Sequence, residues 1–224
     1  MIVKKGNLVF RRLTIDDIEL VRNWRNSSHI NQYMEYREYI TPEMQERWFN
    51  SINNQNNLYF IVEFNDEKIG VFNGKDIDWD NGTMETGIFI ADEKYLNTEI
   101  PLMAVLTFGE LGLRVFNMNS NAHILKSNHR AIRFNKLLGF ELCEGQDSLE
   151  NQLYKLNKER FFKSVKLLRP TLQKLMKGKE TLIIFNKNDI DNGLKDFLFN
   201  KIDSSTIIKI ENNPDSVTVF FELI

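Results

Sequence analysis

The chain has a single cysteine, Cys143, among 224 residues, so no intrachain disulfide can form and a reducing compartment is expected. Cys143 itself suits a small packed hydrophobe better than a nucleophile. No apolar run approaches the ~18 residues that span a bilayer, and no charged-then-apolar leader opens the sequence. These absences predict a cytoplasmic protein without a membrane partner. Neither charge is in excess: 29 Lys and Arg stand against 31 Asp and Glu, for a net charge of −2. Nothing global therefore draws the chain to nucleic acid. His29, His123 and His129 lack ligand spacing, and no metal site is expected. Asp76, Asp78 and Asp80 approach a calcium loop, but Asn81 and Gly87 stand where such a loop needs Gly and Glu. There is no GxSxG and no phosphate-binding P-loop string. No glycine occurs between Gly87 and Gly109.

What is present is periodicity. Strands are expected at Leu8 to Leu13, Leu58 to Phe64 and Ile69 to Ile77, the last two joined by a turn at Asn65 to Lys68. Thr14 with Asp17 predicts one helix start, and Thr41-Pro42-Glu43 a second. The central stretch, Glu85 to Phe140, alternates a strand (Met84 to Ile90), a helix (about Thr98 to Leu113), a strand (about Asn119 to Leu125) and a helix (about Asn128 to Leu138). Short loops in that order predict two neighbouring parallel strands, with a cleft at the helix N-termini suited to an anionic ligand. Closing strands follow at Glu141 to Glu144 and Gln152 to Asn157. From Lys158 to Lys179, eight Lys or Arg accompany one acid, at helical apolar spacing, with Pro170 restarting the helix. A solvated helix face covering the core accounts for that stripe. A strand (Thr181 to Phe185), a helix (Asp189 to Ile202) and a hairpin (Thr206 to Ile210 with Ser216 to Leu223) end the chain.

The stretch Glu85-Thr86-Gly87-Ile88, followed by Asn128-x-x-Ala131-Ile132-x-Phe134 and Leu138-Gly139-Phe140, resembles the core of the GNAT acetyltransferase superfamily. Trp24-Arg25-Asn26, His29, Met34, Ile40 to Glu43 and Trp48-Phe49 resemble a subgroup. It comprises the ribosomal-protein N-terminal acetyltransferases and bacterial enzymes that acetylate 4-amino sugars on nucleotide carriers. The resemblance covers about residues 8 to 157. It implies an α/β (α+β) fold with a mixed, mostly antiparallel twisted sheet, a parallel pair at the cofactor cleft and helices on both faces. Residues 1–160 would form that domain, and 161–224 a β-α-β-β annex on which the resemblance is silent.

The resemblance also implies a site for acetyl-CoA. The family's glycine-rich pyrophosphate loop falls on Leu96-Asn97-Thr98-Glu99-Ile100-Pro101, which has no glycine. Asn97 is the residue there that best tolerates a left-handed backbone, whereas Glu99 would repel phosphate. Phe89, Ile90 and Ala91 would offer backbone groups to the pantetheine arm, with Asn128 and Ala131 on the opposite wall; Asn128 also suits a helix cap. Glu85 would take the proton from the attacking amine, or alternatively pair with a basic neighbour. Asn135 stands where the family often has a tyrosine that protonates the leaving thiolate. Arg25, Asn26, His29, Tyr33, Met34 and Trp48 would form the acceptor wall, aromatics with Arg and Asn suiting a sugar or nucleotide.

The expected function is acetyl transfer from acetyl-CoA to a small primary amine, first of all an amino sugar on a nucleotide carrier. Two alternatives stay open: a GNAT-fold binding or regulatory module, and protein N-terminal acetylation. Homodimerisation is also left open.

Overall fold

The computed structural model describes residues 1–175 and 180–223, apart from the side chains of Leu172 and Gln173; Met176 to Lys179, the end of the expected basic stripe, lie outside the described residues. The chain opens with a hairpin of β1 (Ile2–Lys5) and β2 (Leu8–Arg12), turned at Gly6. A 3-10 turn (Ile15–Asp17) leads into α1 (Ile18–Asn26), a single-turn α2 (Ser28–Asn31) and α3 (Pro42–Ile52). The meander β3 (Leu58–Phe64), β4 (Glu67–Asp78) and β5 (Thr83–Ile90) follows. Then come α4 (Ile100–Glu110), running into a π turn at Leu111–Val115, β6 (Asn119–Leu125) and α5 (His129–Leu137). β7 (Glu141–Leu142), β8 (Asn151–Leu156), α6 (Lys158–Val165) and α7 (Arg169–Leu175) come next. The last part is β9 (Thr181–Asn186), α8 (Lys187–Asp191), α9 (Leu194–Phe199), β10 (Ile207–Asn213) and β11 (Ser216–Phe221).

Local chemistry accounts for most boundaries. Asn65 and Asp66 both take positive φ, as a two-residue hairpin turn with right-handed twist requires, and join β3 to β4. Thr41 Oγ1 accepts from the Met44 N–H and starts α3, with Pro42 in its first turn. Asp17 accepts from the Thr14 N–H (3.1 Å) and, through both oxygens, from Arg11 of β2 at 2.8 Å. Burial opposes that carboxylate's charge, but Arg11 and Thr14 outweigh it and hold its pKa far below the ordinary value. The entry to α1 is thereby fixed to the sheet. Gly139, at φ +99°, lets the chain leave α5 where a Cβ would meet Ser164 Oγ at 2.8 Å and the Arg160 carbonyl oxygen at 3.0 Å.

The strands form one mixed, mostly antiparallel sheet, in the order β10-β11-β9-β1-β2-β3-β4-β5-β6-β8-β7. β5 and β6 are its parallel pair. On one face α1 and α3 bury Val21 and Phe49 against Ile61 and Val71. On the other, α4 and α6 cover a larger core in which Phe108 stacks on Phe72 and meets Phe10 and Phe60.

Three features differ from the pattern reading. β1 is an unexpected strand, and it is the edge on which the C-terminal strands build: β9 pairs with β1, β11 with β9 and β10 with β11. The expected helix from Asp189 to Ile202 is two helices, because Gly193 takes φ 77° between them. The helix expected from Thr98 begins at Ile100 and ends in the π turn.

Candidate active site

β5 and β6 run together for only three positions: Thr83 opposite Asn119, Met84 opposite Ser120 and Glu85 opposite Asn121. A 2.6 Å hydrogen bond between the hydroxyls of Thr86 and Ser120 closes the join. Beyond it each strand follows a different neighbour. β5 stays on β4 to the pair Ile90–Gly70, while β6 stays on β8 to the pair Leu125–Asn151. The sheet therefore forks. Gly87 to Ile90 on one arm and Ala122 to Leu125 on the other line a cleft of about 650 Å³. The inner edge of each arm faces the cleft instead of another strand, leaving backbone groups available to a ligand.

One wall is made by the start of α4 and by α5. Leu96, Thr98 and Pro101 line the cleft; Asn97 and Glu99 are exposed outside it, and Ile100 is buried in the core. Asn97 is not among the described residues with positive φ, so the left-handed backbone expected there is not used. Some amides of this loop are committed, since Thr98 N–H donates to Tyr95 O, Ile100 N–H to Thr98 Oγ1 and Met103 N–H to Glu99 O, and Pro101 has none. Arg130 of α5, which the sequence reading did not single out, also lines the cleft and donates from Nη2 to the Leu96 carbonyl. A guanidinium thus stands beside the loop. Asn128 caps α5 through the Ala131 N–H at 3.0 Å and still faces the cleft, as does Ala131. Asn135 lines it too, but its amide donates back to the Ala131 carbonyl at 2.9 Å.

At the closed end of the fork sits Glu85. Lys75 Nζ, its cross-strand neighbour on β4, lies 3.0 Å from one carboxylate oxygen, and His123 Nδ1 of β6 lies 2.9 Å from the other. Glu85 lines the cleft and also pairs with the Lys75 cation. Burial disfavours the Lys75 ammonium, but Glu85 outweighs burial and the lysine pKa is raised. Nearby Tyr59 has its phenol pKa raised, chiefly by burial. The sequence pattern brings up His123 only as a possible metal ligand. Its neighbourhood to Glu85 follows from the parallel register, which single-strand patterning cannot reveal.

Odd-numbered β5 residues, Phe89 among them, face the side on which α1 and α3 pack. There Arg25, His29, Tyr33, Met34 and Trp48 line the cleft. His29 Nε2 donates to the Ala91 carbonyl at 2.8 Å, and the Ala91 N–H is bound to Ile69 O, so both backbone groups of Ala91 are already engaged. Asn26 is outside the lining: it bonds both the N–H and the carbonyl of Ile40, each at 2.9 Å, and ties down the segment before α3.

The fork, the helix behind it and the carboxylate at its base are the setting in which a family match gains meaning. Residues 7–141 match the family model described as acetyltransferase (GNAT) domain. The chain belongs to the GNAT acetyltransferase family, whose co-substrate is acetyl-CoA. An uncharacterized protein from Bacillus halodurans superposes with a TM-score of 0.62 at 15% identity, covering 73% of this chain and 91% of that one. Spermidine N-acetyltransferase from Vibrio cholerae, in complex with CoA and spermine, gives 0.56 at 16% identity over 70% and 98%. Aminoglycoside acetyltransferase AAC(6')-Ib, in complex with coenzyme A, gives 0.58 at 21% over 71% and 99%. At these identities the likeness is one of fold. No curated protein matches the chain in sequence. No helix among the described residues is long and apolar enough to cross a membrane.

Proposed function

We propose that the protein transfers the acetyl group of acetyl-CoA to a primary amine of a small molecule, an amino sugar on a nucleotide carrier being the leading acceptor class. The observation that carries this reading is the Glu85–His123 pair at the base of the fork. An amine reaches neutral water as an ammonium ion and must lose a proton before its lone pair can attack the thioester carbonyl carbon. With His123 Nδ1–H donating to Glu85, Nε2 is left to accept that proton, and the carboxylate balances the charge that forms. The carbon–sulfur bond then breaks and CoA leaves as thiolate. Asn135 has no proton to supply, and its amide is turned onto its own helix. A thiol of ordinary pKa ~8.5 leaves with little help, so this position slows the reaction without preventing it.

Arg130, Asn128 and the arms of the fork are the groups we assign to the cofactor, and Arg25, His29, Tyr33, Met34 and Trp48 to the acceptor. The glycine-free loop and Asn135 favour the second reading, a GNAT-fold binding module. Release of CoA thiol from acetyl-CoA, assayed against amino-sugar nucleotides, free amino sugars, polyamines and peptides, separates the possibilities. Turnover with the amino-sugar nucleotide and none with peptides is expected. Turnover with peptide N-termini would move the assignment to protein acetylation. Silence toward every amine, from a protein that still binds acetyl-CoA, would support the module.

A further inference from the structure

The acceptor side of the cleft contains a cation with no acidic partner among the described residues. Arg25 stands in the last turn of α1 and lines the cleft. Its Nε is closed from solvent and has no hydrogen-bond partner. Four other arginines show the alternative, since Arg11 meets Asp17 and Glu63, Arg22 meets Glu19, Arg160 meets Glu141, and Arg169 meets Glu110. Among the described residues, the group acting on the Arg25 charge is the phenol of Tyr59, and burial holds the guanidinium pKa below its ordinary value. The Lys75 ammonium near the base of the fork is already engaged, since it turns to Glu85. Glu35 also borders the cleft, but it is exposed, and no ion pair joins it to Arg25.

A half-buried guanidinium without a counter-charge is costly, and the cost is recovered when an anion arrives with matching geometry. Phosphate and carboxylate both present two oxygens to the guanidinium fork. A polycationic amine would instead set a second positive charge against Arg25.

We infer that Arg25 anchors an acidic group, phosphate or carboxylate, carried by the amine acceptor, so that the acceptor class is an amine bearing an anion and not a polyamine. This rests on the acetyltransferase reading for the amine, but the anion subsite can be tested without turnover. The protein is first saturated with CoA, so that the cofactor's own phosphates have their places. Uridine diphosphate and succinate are then titrated by calorimetry into wild type, Arg25→Gln and Arg25→Lys. One of the two anions should bind to wild type, at least tenfold more weakly to Arg25→Gln, and with intermediate affinity to Arg25→Lys. Which anion binds identifies the acidic group. If neither binds, or if Arg25→Gln binds as wild type does, the inference fails.

Kinetics supply the second arm. With matched amines that carry or lack the acidic group, Arg25→Gln should raise KM at least tenfold for the acidic amine alone and leave KM for acetyl-CoA unchanged. An equal change for both amines would overturn the inference. Arg25-dependent anion binding without turnover of any amine would retain the subsite and overturn the acetyltransferase reading. Should Arg25→Gln fail to fold, Arg25→Lys carries the test, because it keeps the charge and loses the fork; at least a threefold weakening is expected, and none would overturn the inference.

Discussion

Arg169 Nη2 lies 2.6 Å from Glu110 Oε1, joining the start of α7 to the last turn of α4 through a carboxylate closed from solvent. The guanidinium also lies over the Phe162 ring at 5.2 Å. Removing one member of such a pair leaves a buried charge poorly compensated. Arg169→Ala should therefore cost about 1–3 kcal/mol of stability. Chemical denaturation checks this, and Glu110→Gln with Arg169→Ala should cost less than the sum of the two single changes.

Lys5 predicts a pH dependence. It is buried and donates to the Leu223 carbonyl at 2.9 Å and to Thr181 Oγ1 at 3.3 Å. Burial, partly offset by Glu110, lowers its pKa to about 8. Below that pH the lysine is charged in the folded and unfolded chain alike, and its burial is a standing cost. Between pH ~8 and ~10.5 the folded chain gives up the proton while the unfolded chain keeps it, so this group's contribution to stability rises with pH. The stability of wild type relative to Lys5→Met should move in favour of wild type between pH 7 and pH 10 in urea melts. A constant difference would count against the shift.

At the base of the fork, Glu85→Gln and His123→Gln should each lower kcat by about 10²-fold or more, the usual range for a general base. If the two side chains act as a unit, the double variant will be little worse than the poorer single variant. Additive losses would show that only one of them handles the proton. Measured over pH 5–9, His123→Gln should lose the acid-side limb expected of wild type, whereas Glu85→Gln, which keeps the imidazole, should retain one.

Cofactor affinity should depend on Arg130 and not on Glu99. Arg130 stands at the loop and faces the cleft, whereas Glu99 is exposed outside it. A charged hydrogen bond to phosphate contributes roughly 1.5–3 kcal/mol, so Arg130→Ala should weaken CoA binding about tenfold or more. Glu99→Gly should leave it within about twofold. Calorimetry with CoA decides both, and tighter binding by Glu99→Gly would mean that its carboxylate swings into the cleft in solution.

Strand alternation and helix caps carried far in this sequence because each is a local signal. β3 and β6 occupy the spans their apolar patterns predict, and Thr41 and Asn128 cap the helices they precede. β1 escaped notice because four residues, two of them lysines, give alternation little to work with, and one of those lysines is buried. Gly193 is not legible as a break, because a glycine within a helical pattern declares a left-handed turn only through its φ angle. At the site, Glu85 was legible from its place in the ETGI string. His123 and Arg130 were not, because their relevance comes from the register of β6 against β5 and from the reach of α5 to the loop, both set by tertiary packing.

The place of β1 in the sheet also orders events in time. Its inner edge is satisfied at once by β2, through the short turn at Gly6. Its outer edge waits for β9, where Ile2 faces Ile184, so nearly the whole chain must be made before that edge can close. In chain order, the strands from β1 to the fork precede β9, so the outer edge of β1 stays open until β9 is made. Contacts this distant in sequence slow folding, and an open strand edge invites pairing with another chain. The nascent protein is thus most exposed to misassembly after its cleft has formed and before its C-terminal strands arrive, an interval in which a chaperone would have most to protect.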